Sequence, residues 1–550
     1  MQRFCKLRLH IFSYVPAFIL VGVLVQSIGS LNVHAAGSVG ELEDFINFES
    51  PQVHPLDITP DGSRLLVTNT ADNRLELFEV LPEGLSYLNS IQVGLEPVSV
   101  RARSNTEAWV VNHLSDSITV VDLISGNVIT TLKTGDEPAD VVFSGNPEKA
   151  FVTVSQWNRF EIFDPEDLSA SPILVPIEGE DPRSLVTDGS KVYAVIFEAG
   201  NLTTVISHEK VSSGLNPYSG NPNPPPNDGN TFNPPLRPGL PDAPENSLVL
   251  RKNAKNRWMD DNGGDWSNAV TWDLHGHGLA VIDAETLEVS YRTGLPTSNM
   301  GCDINSQGEI VVVGTEALNE VRFEPVLNGV FIRVEGVLFS PSSTSPTLRA
   351  DLNPHLDYTV RNIPLEQRVK SIGDPRGVKF LPGTNECWVV GMGSNNIAMF
   401  DNSFARVGEL QVGHGPTGLV IDVSGERAYV LNRFEGSISV IDVEEREEIS
   451  RVPFFDPTPQ FINDGRPFLY DTHLTSGLGQ ASCASCHIDG RFDQLAWDLG
   501  DPSLDMVEND VVCNIGVPIL GDCTDWHPLK GPMVTQTLVG ISGTEPLHWR

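Results

Sequence analysis

Short apolar runs separated by polar turns recur along most of this 550-residue chain. LLVTN (65–69), AWVVN (108–112) and AYVLN (428–432) are continuous apolar runs ending in Asn, the pattern of strands covered on both faces. One turn later come runs ending in Asp: ITVVD (118–122), LAVID (279–283) and ISVID (438–442). The bounding Asn, Asp and Gly residues supply tight turns. Each unit therefore predicts three or four strands of roughly 4–7 residues.

These units repeat. His54–Val80, Glu96–Asn127 and Gly415–Glu445 each open near a Pro, pass a polar turn, and give two apolar runs in the same order. The leading prolines are Pro55, Pro97, Pro138 and Pro182, separated by 42, 41 and 44 residues, then Pro375, Pro416 and Pro457, separated by 41 and 41. Strands this short on a ~40-residue period predict a β-propeller, whose four-stranded blades pack side by side. With a fifth unit opening near Pro296, the starts at 55, 97, 138, 182, 296, 375 and 416 predict seven blades over residues 45–457.

Two insertions are predicted, at about 208–274 and 325–372; the first holds ten prolines between Pro217 and Pro244 and reads as an extended surface excursion. LTTVIS (202–207) is expected to belong to the fourth blade. The segment before His54 is expected to pair into the last blade and close the ring. The LVTN, VVN and YVLN runs, followed by VVDLISG and VIDVEE, resemble the propeller family named for its Tyr-Val-Thr-Asn motif. That resemblance implies a fold and says little of function.

Composition is ordinary for a folded chain, at 40% hydrophobic and 20% charged residues, but 36 basic against 72 acidic side chains leave a net charge of −36. So acidic a chain, without a basic patch, is a poor partner for nucleic acid. Arg3, Lys6 and Arg8 precede an apolar run from Ile11 to Val25, with Ala35 and Ala36 after it. This reads as a signal peptide over residues 1–36. The run is short for a span and carries Pro16, so no stable membrane span is expected after cleavage and the protein is expected in the periplasm or another extracytoplasmic space.

After Pro457 the period stops and Cys483-Ala-Ser-Cys486-His487 appears, the attachment pattern of c-type haem. Two thiols one helical turn apart can form thioethers to the porphyrin, and the adjacent His can serve as proximal iron ligand. An export signal supports the same reading, since such haem is attached outside the cytoplasm. A plain Cys483–Cys486 disulfide remains open, as does a zinc site drawing on Cys513 and Cys523. A thioredoxin-like pair would need a βαβ context that is absent.

The flanks DTHLTSGLGQASCASCHIDGRFDQLAWDLGDP and KGPMVTQTLVGISGTEPLHWR resemble the haem domains of bacterial di-haem cytochrome c peroxidase and MauG-type proteins, and more closely propeller–cytochrome c fusions. The resemblance spans residues 463–550 and implies a small, mainly α cytochrome c-like domain after a mainly β ring. In that family an axial ligand or pocket residue follows a Thr-Leu segment, here Thr537-Leu538; His548 or Met533 is the candidate sixth ligand, and His527 a poorer one. The family carries two haems, whereas this chain has one CxxCH and stops at Arg550 inside a recognisable segment. The resemblance then implies either a truncated domain with a second haem beyond Arg550 or a second haem that has been lost.

Among lesser signals, Cys513 and Cys523 are expected to form a disulfide, and Cys302 and Cys387 to be core thiols. Asp260–Trp266 gathers three carboxylates, so calcium is conceivable, but it lacks EF-hand spacing and a turn is expected. His275 and His277 are expected on a surface loop. Arg491 and Asp493 are candidates for bonding haem propionate or ordering a loop. Three functions follow: electron transfer by haem c, with the ring docking a redox partner protein, a small electron donor or another ligand; a peroxidase-like oxidoreductase whose second haem is absent; or a non-enzymatic binding ring with a structural CxxCH.

Overall fold

At four blade junctions a left-handed turn residue between the second and third strands of one blade bonds the start of the next. Asn73, Asp116, Asn158 and Asn395 have φ of 56°, 50°, 46° and 54°, a conformation Asn and Asp tolerate better than most residues. Their side-chain oxygens accept from the backbone N–H of Glu96, Glu137, Asp181 and Gly415, the residues that open the following blades. Each opening residue stands before one of the leading prolines and has φ near 50–60° itself. The asparagines ending the apolar runs bridge the next turn: Asn112 Nδ2 donates to Ser117 and Thr119, and Asn432 Nδ2 to Ser437 and Ser439. These bonds give the repeated residues their physical role.

The computed structural model describes residues 49–218, 237–241, 246–260, 263–319, 330–498, 500, 503–508, 525–528 and 531–541. The expected signal peptide (1–36), the Cys513–Cys523 disulfide and His548 lie outside these residues.

Seven antiparallel four-stranded blades are present. Blade 1 runs from Leu56–Ile58 to Gly84–Gln92, blade 2 from Pro97–Ala102 to Asn127–Lys133, and blade 3 from Pro138–Ser144 to Ile173–Pro176. Blade 4 comprises Glu180–Thr187, Lys191–Glu198, Leu279–Asp283 and Val289–Arg292. Blade 5 comprises Ser298–Ile304, Ile310–Ala317, Ile332–Phe339 and Leu348–Asp351. Blade 6 runs from Pro375–Phe380 to Arg406–Gln411, and blade 7 from Pro416–Ile421 to Glu447–Pro453. An apolar cluster fills each junction, including that of blade 7 with blade 1, where Tyr429 and Leu431 meet Leu65 and Phe78. The chain is a closed β-propeller.

Several expectations need correction. Residues 49–54 do not pair into blade 7. Val53 and His54 bond the inner strand of blade 2, through Val98 and Val100, so the ring closes with no shared strand, by the apolar cluster and by Gln52, which accepts from Thr417 of blade 7 and donates to Thr70 of blade 1. Thr203–Ile206 leaves blade 4 for a small sheet with Leu248–Lys252 and Trp258–Met259, packed around Trp258 and Trp266; the described parts of the first insertion are therefore folded. Ile332–Phe339 and Leu348–Asp351, inside the stretch expected as the second insertion (325–372), are the outer strands of blade 5. Periodicity could not show this, because the excursions interrupt the very strands it counts.

The segment after blade 7 carries helices Gln460–Tyr470 and Thr472–Thr475, 3₁₀ turns Cys483–Ser485 and Ile488–Gly490, and a ribbon pairing Ala496–Asp498 with Pro532–Val534. Among the described residues these elements lie on the ring and build no helical domain of their own. Tyr470 and Ala484 share a cluster with Met392 of blade 6, and Thr472 N–H donates to the Gly393 carbonyl. No helix among the described residues is long and apolar enough to cross a membrane.

Candidate functional site

The CxxCH turn sits over the centre of the ring. Asp489, two residues past His487, accepts from Arg376 of blade 6 at 2.9 and 3.1 Å and from Arg183 of blade 4 at 3.4 Å. Blades 4 and 6 are not neighbours, so a side chain reaching both must lie near the ring axis. Each arginine is also gripped by the acid that opens its blade: Arg183 by Asp181 at 2.6 and 3.0 Å, and Arg376 by Asp374 at 2.8 and 3.2 Å. The Arg183 guanidinium also stacks 3.6 Å above the Phe197 ring. Asp489 is 3% exposed. Burial alone would raise its pKa, but Arg376 and Arg183 outweigh it and hold the carboxyl below its usual value.

Further bonds spread the segment across the ring's face. Arg491 donates to Glu137 of blade 3 at 2.7 and 3.2 Å, and Gln494 donates to Glu198 of blade 4. Arg466 and Tyr470 both donate to Glu49. Asp493 accepts from Trp497 Nε1 at 2.9 Å and Leu495 N–H at 3.0 Å. Of the two roles weighed for Arg491 and Asp493, the geometry displays loop ordering.

Ser482 caps the first 3₁₀ turn and carries Cys483 and Cys486 at its two ends. Cys483 and Cys486 are not joined to one another by a disulfide. Cys483 is exposed; Cys486 is half-buried against Leu274, Ala317, Phe331, Ile332, Leu495 and Trp497. His487 is half-buried, and its Nδ1 lies 2.8 Å from the Gln536 carbonyl. A carbonyl cannot donate, so Nδ1 carries a proton, the arrangement in which a neutral imidazole has its lone pair at Nε2. That is the second-shell bond metal-ligating histidines make. Two cysteines at the required spacing, an imidazole in the ligating tautomer and an apolar wall beside one thiol fit covalent haem.

Met533 is half-buried on the strand opposite Trp497, three residues before the carbonyl that holds His487. His527 Nε2 lies 3.3 Å from the Pro241 carbonyl, tying this segment to the first insertion. Cys302 and Cys387 are buried strand thiols, each pushed up to about 12 by burial. Asp260 spends its carboxylate on a turn, accepting from Tyr218 Oη, Gly264 N–H and Trp266 Nε1. His277 stacks on Tyr291 at 4.2 Å and bonds the Glu178 carbonyl, with His275 stacked beyond it.

Arg183 and Arg376 were not singled out from the sequence. Asp-Pro-Arg occurs at 181–183 and again at 374–376, at the same point of two repeats, a signal a comparison of blade openings would have found. Leu274, Phe331 and Ile332 carry no such signal, because their role depends on where the excursions re-enter the ring.

No protein-family model matches the sequence, and no curated protein matches it. Among solved structures, hydrazine synthase of Kuenenia stuttgartiensis is similar at TM-score 0.50 and 15% identity, over 74% of this chain and 99% of that one. Weaker likenesses, at TM-score 0.43 and 10% identity, are to U3-55K and to the WD40 repeats of RRP9, each over 70% of this chain and 90% and 88% of theirs. At such identity the hydrazine synthase likeness speaks to the fold alone.

Proposed function

We propose that this protein is an extracytoplasmic haem c protein that passes single electrons, with a propeller of the Tyr-Val-Thr-Asn kind as its scaffold. The observation that carries this is the His487 Nδ1–H bond to the Gln536 carbonyl at 2.8 Å, on a turn that also offers two cysteines not joined by a disulfide. Cys483 and Cys486 would hold the porphyrin by thioether bonds and His487 the iron; bound there, haem supplies a one-electron Fe(III)/Fe(II) couple. The chain's own residues do the rest: Gln536 fixes the imidazole tautomer, the wall around Cys486 excludes water, and the ring holds the turn in place. Met533 or His548 is the proposed sixth ligand, and a redox protein or small electron donor the proposed partner.

The test is a pyridine haemochrome spectrum and an intact mass on the exported protein. A c-type spectrum with one haem retained under denaturing conditions supports the proposal. Colourless protein of unmodified mass overturns it.

A further inference from the structure

We propose that Asp489 is a positioning residue: the Asp-Pro-Arg arginines of blades 4 and 6 clamp it over the ring axis, and this clamp aims the His487 imidazole. The inference rests on the haem reading for the purpose of that aim, but the clamp stands on geometry alone.

Three features converge on it. The carboxylate is bonded by two guanidinium groups from non-adjacent blades, at 2.9, 3.1 and 3.4 Å. Each guanidinium is fixed by its own blade's acid, so the arginines are rigid before Asp489 arrives. Asp489 itself takes φ 51° and ψ 34°, a left-handed kink inside the second 3₁₀ turn. Ile488 packs beside it on Phe197 and Met300. Beyond the kink, the Gly490 carbonyl accepts from Leu538 N–H at 2.9 Å, which sets the strand holding Gln536 beside His487. Asp489 therefore ties ring, turn and proximal strand together. The ring is then the scaffold of the cofactor motif, a role beyond docking a partner.

The charges explain why the clamp can come apart without breaking the ring. Removing one member of a buried ion pair is costly because it strands its partner. Here both arginines keep an aspartate when Asp489 is neutralised. Asp489→Asn also preserves shape and tolerance of positive φ, so it removes the charge and one of the two acceptor oxygens that the guanidinium groups bond.

The experiment is hydrogen exchange with mass spectrometry on the full exported chain, comparing wild type, D489N, R376Q and D489N/R376Q. Selective ¹⁵N-histidine spectra report the Nδ1 proton of His487. In D489N, amides 486–491 are expected to exchange at least ~10-fold faster while blade strands keep their rates. The His487 Nδ1 proton should lose its protection, and R376Q should loosen 486–491 little further once Asp489 is neutral, its remaining cost falling on blade 6, where Asp374 is stranded. Unchanged exchange over 486–491, equal loosening of all blades, or a Nδ1 proton indifferent to D489N overturns the proposal. Because these readouts do not require haem, a colourless protein showing the expected pattern overturns the haem reading and leaves the clamp; a haem-bearing protein with unchanged exchange does the reverse.

Discussion

His487 and Gln536 are joined across 49 positions of sequence by one 2.8 Å bond, from imidazole Nδ1–H to a backbone carbonyl. Because the acceptor is main chain, the Gln536 side chain is dispensable to it. Gln536→Ala is expected to leave the ferrous haem spectrum unchanged, whereas His487→Ala is expected to abolish its low-spin bands while thioether attachment persists. Optical spectra of the purified variants check both. A Gln536→Ala protein that loses the bands would show that the side chain, not the carbonyl, is the support.

The four described cysteines differ sharply in reactivity. Burial pushes Cys302 and Cys387 up to about 12, and both are enclosed by blade cores, so almost no thiolate is available at neutral pH. Cys483 is exposed. In haem-free protein, native-state alkylation at pH 8 is expected to label Cys483 and spare Cys302 and Cys387 until the ring unfolds. Peptide mapping reads the result.

Glu198 opposes the stability of the ring at neutral pH. Burial raises its pKa well above the ordinary value, and Asp181, Glu180 and Asp493 add to the rise against Arg183. A carboxyl raised in the folded state stabilises most below its unfolded pKa of ~4.3, and that contribution is lost as pH rises toward the folded value. Glu198→Gln is expected to be more stable than wild type at pH 7, with the gain vanishing near pH 4. Denaturant melts at the two pH values check the sign.

The apolar part of ring closure is the cluster where Leu431 and Tyr429 meet Leu65 and Phe78. Leu431 is 1% exposed. Leu431→Ala is expected to cost about 2–5 kcal/mol, since the site cannot collapse around the deleted methyls. A solvent-side change on the same blade, Val423→Ala (64% exposed), is expected to stay within ~0.5 kcal/mol. Chemical denaturation of both variants distinguishes a ring closed here from one closed elsewhere.

Much of the ring was legible because each blade solves the same problem with the same residues. Asn73, Asp116, Asn158 and Asn395 recur in the left-handed turn between the second and third strands, from which each bonds the opening of the next blade, and the apolar runs recur where both sheet faces are covered. The fourth and fifth blades were less legible. Their outer strands follow excursions, and the strand at 203–206 is as apolar as a blade strand yet pairs with the insertion. Pairing partners are a matter of distance, which periodicity does not carry. The cysteines and His487 were legible as a motif, while their support was not: Gln536, Asp489 and the two arginines belong to four separate parts of the chain.

By itself the sequence determined what is local or periodic: strand length, turn chemistry, the number of repeats, and the spacing of two thiols and an imidazole. The tertiary structure alone decided that the CxxCH segment lies over the ring axis. It also decided that non-adjacent blades share one carboxylate, and that the ring closes without a shared strand. The reason is physical. Local pattern follows from backbone sterics and hydrophobic alternation, whereas the meeting of Arg183, Arg376 and Asp489 exists only once seven blades have closed a circle and brought distant charges within hydrogen-bond reach.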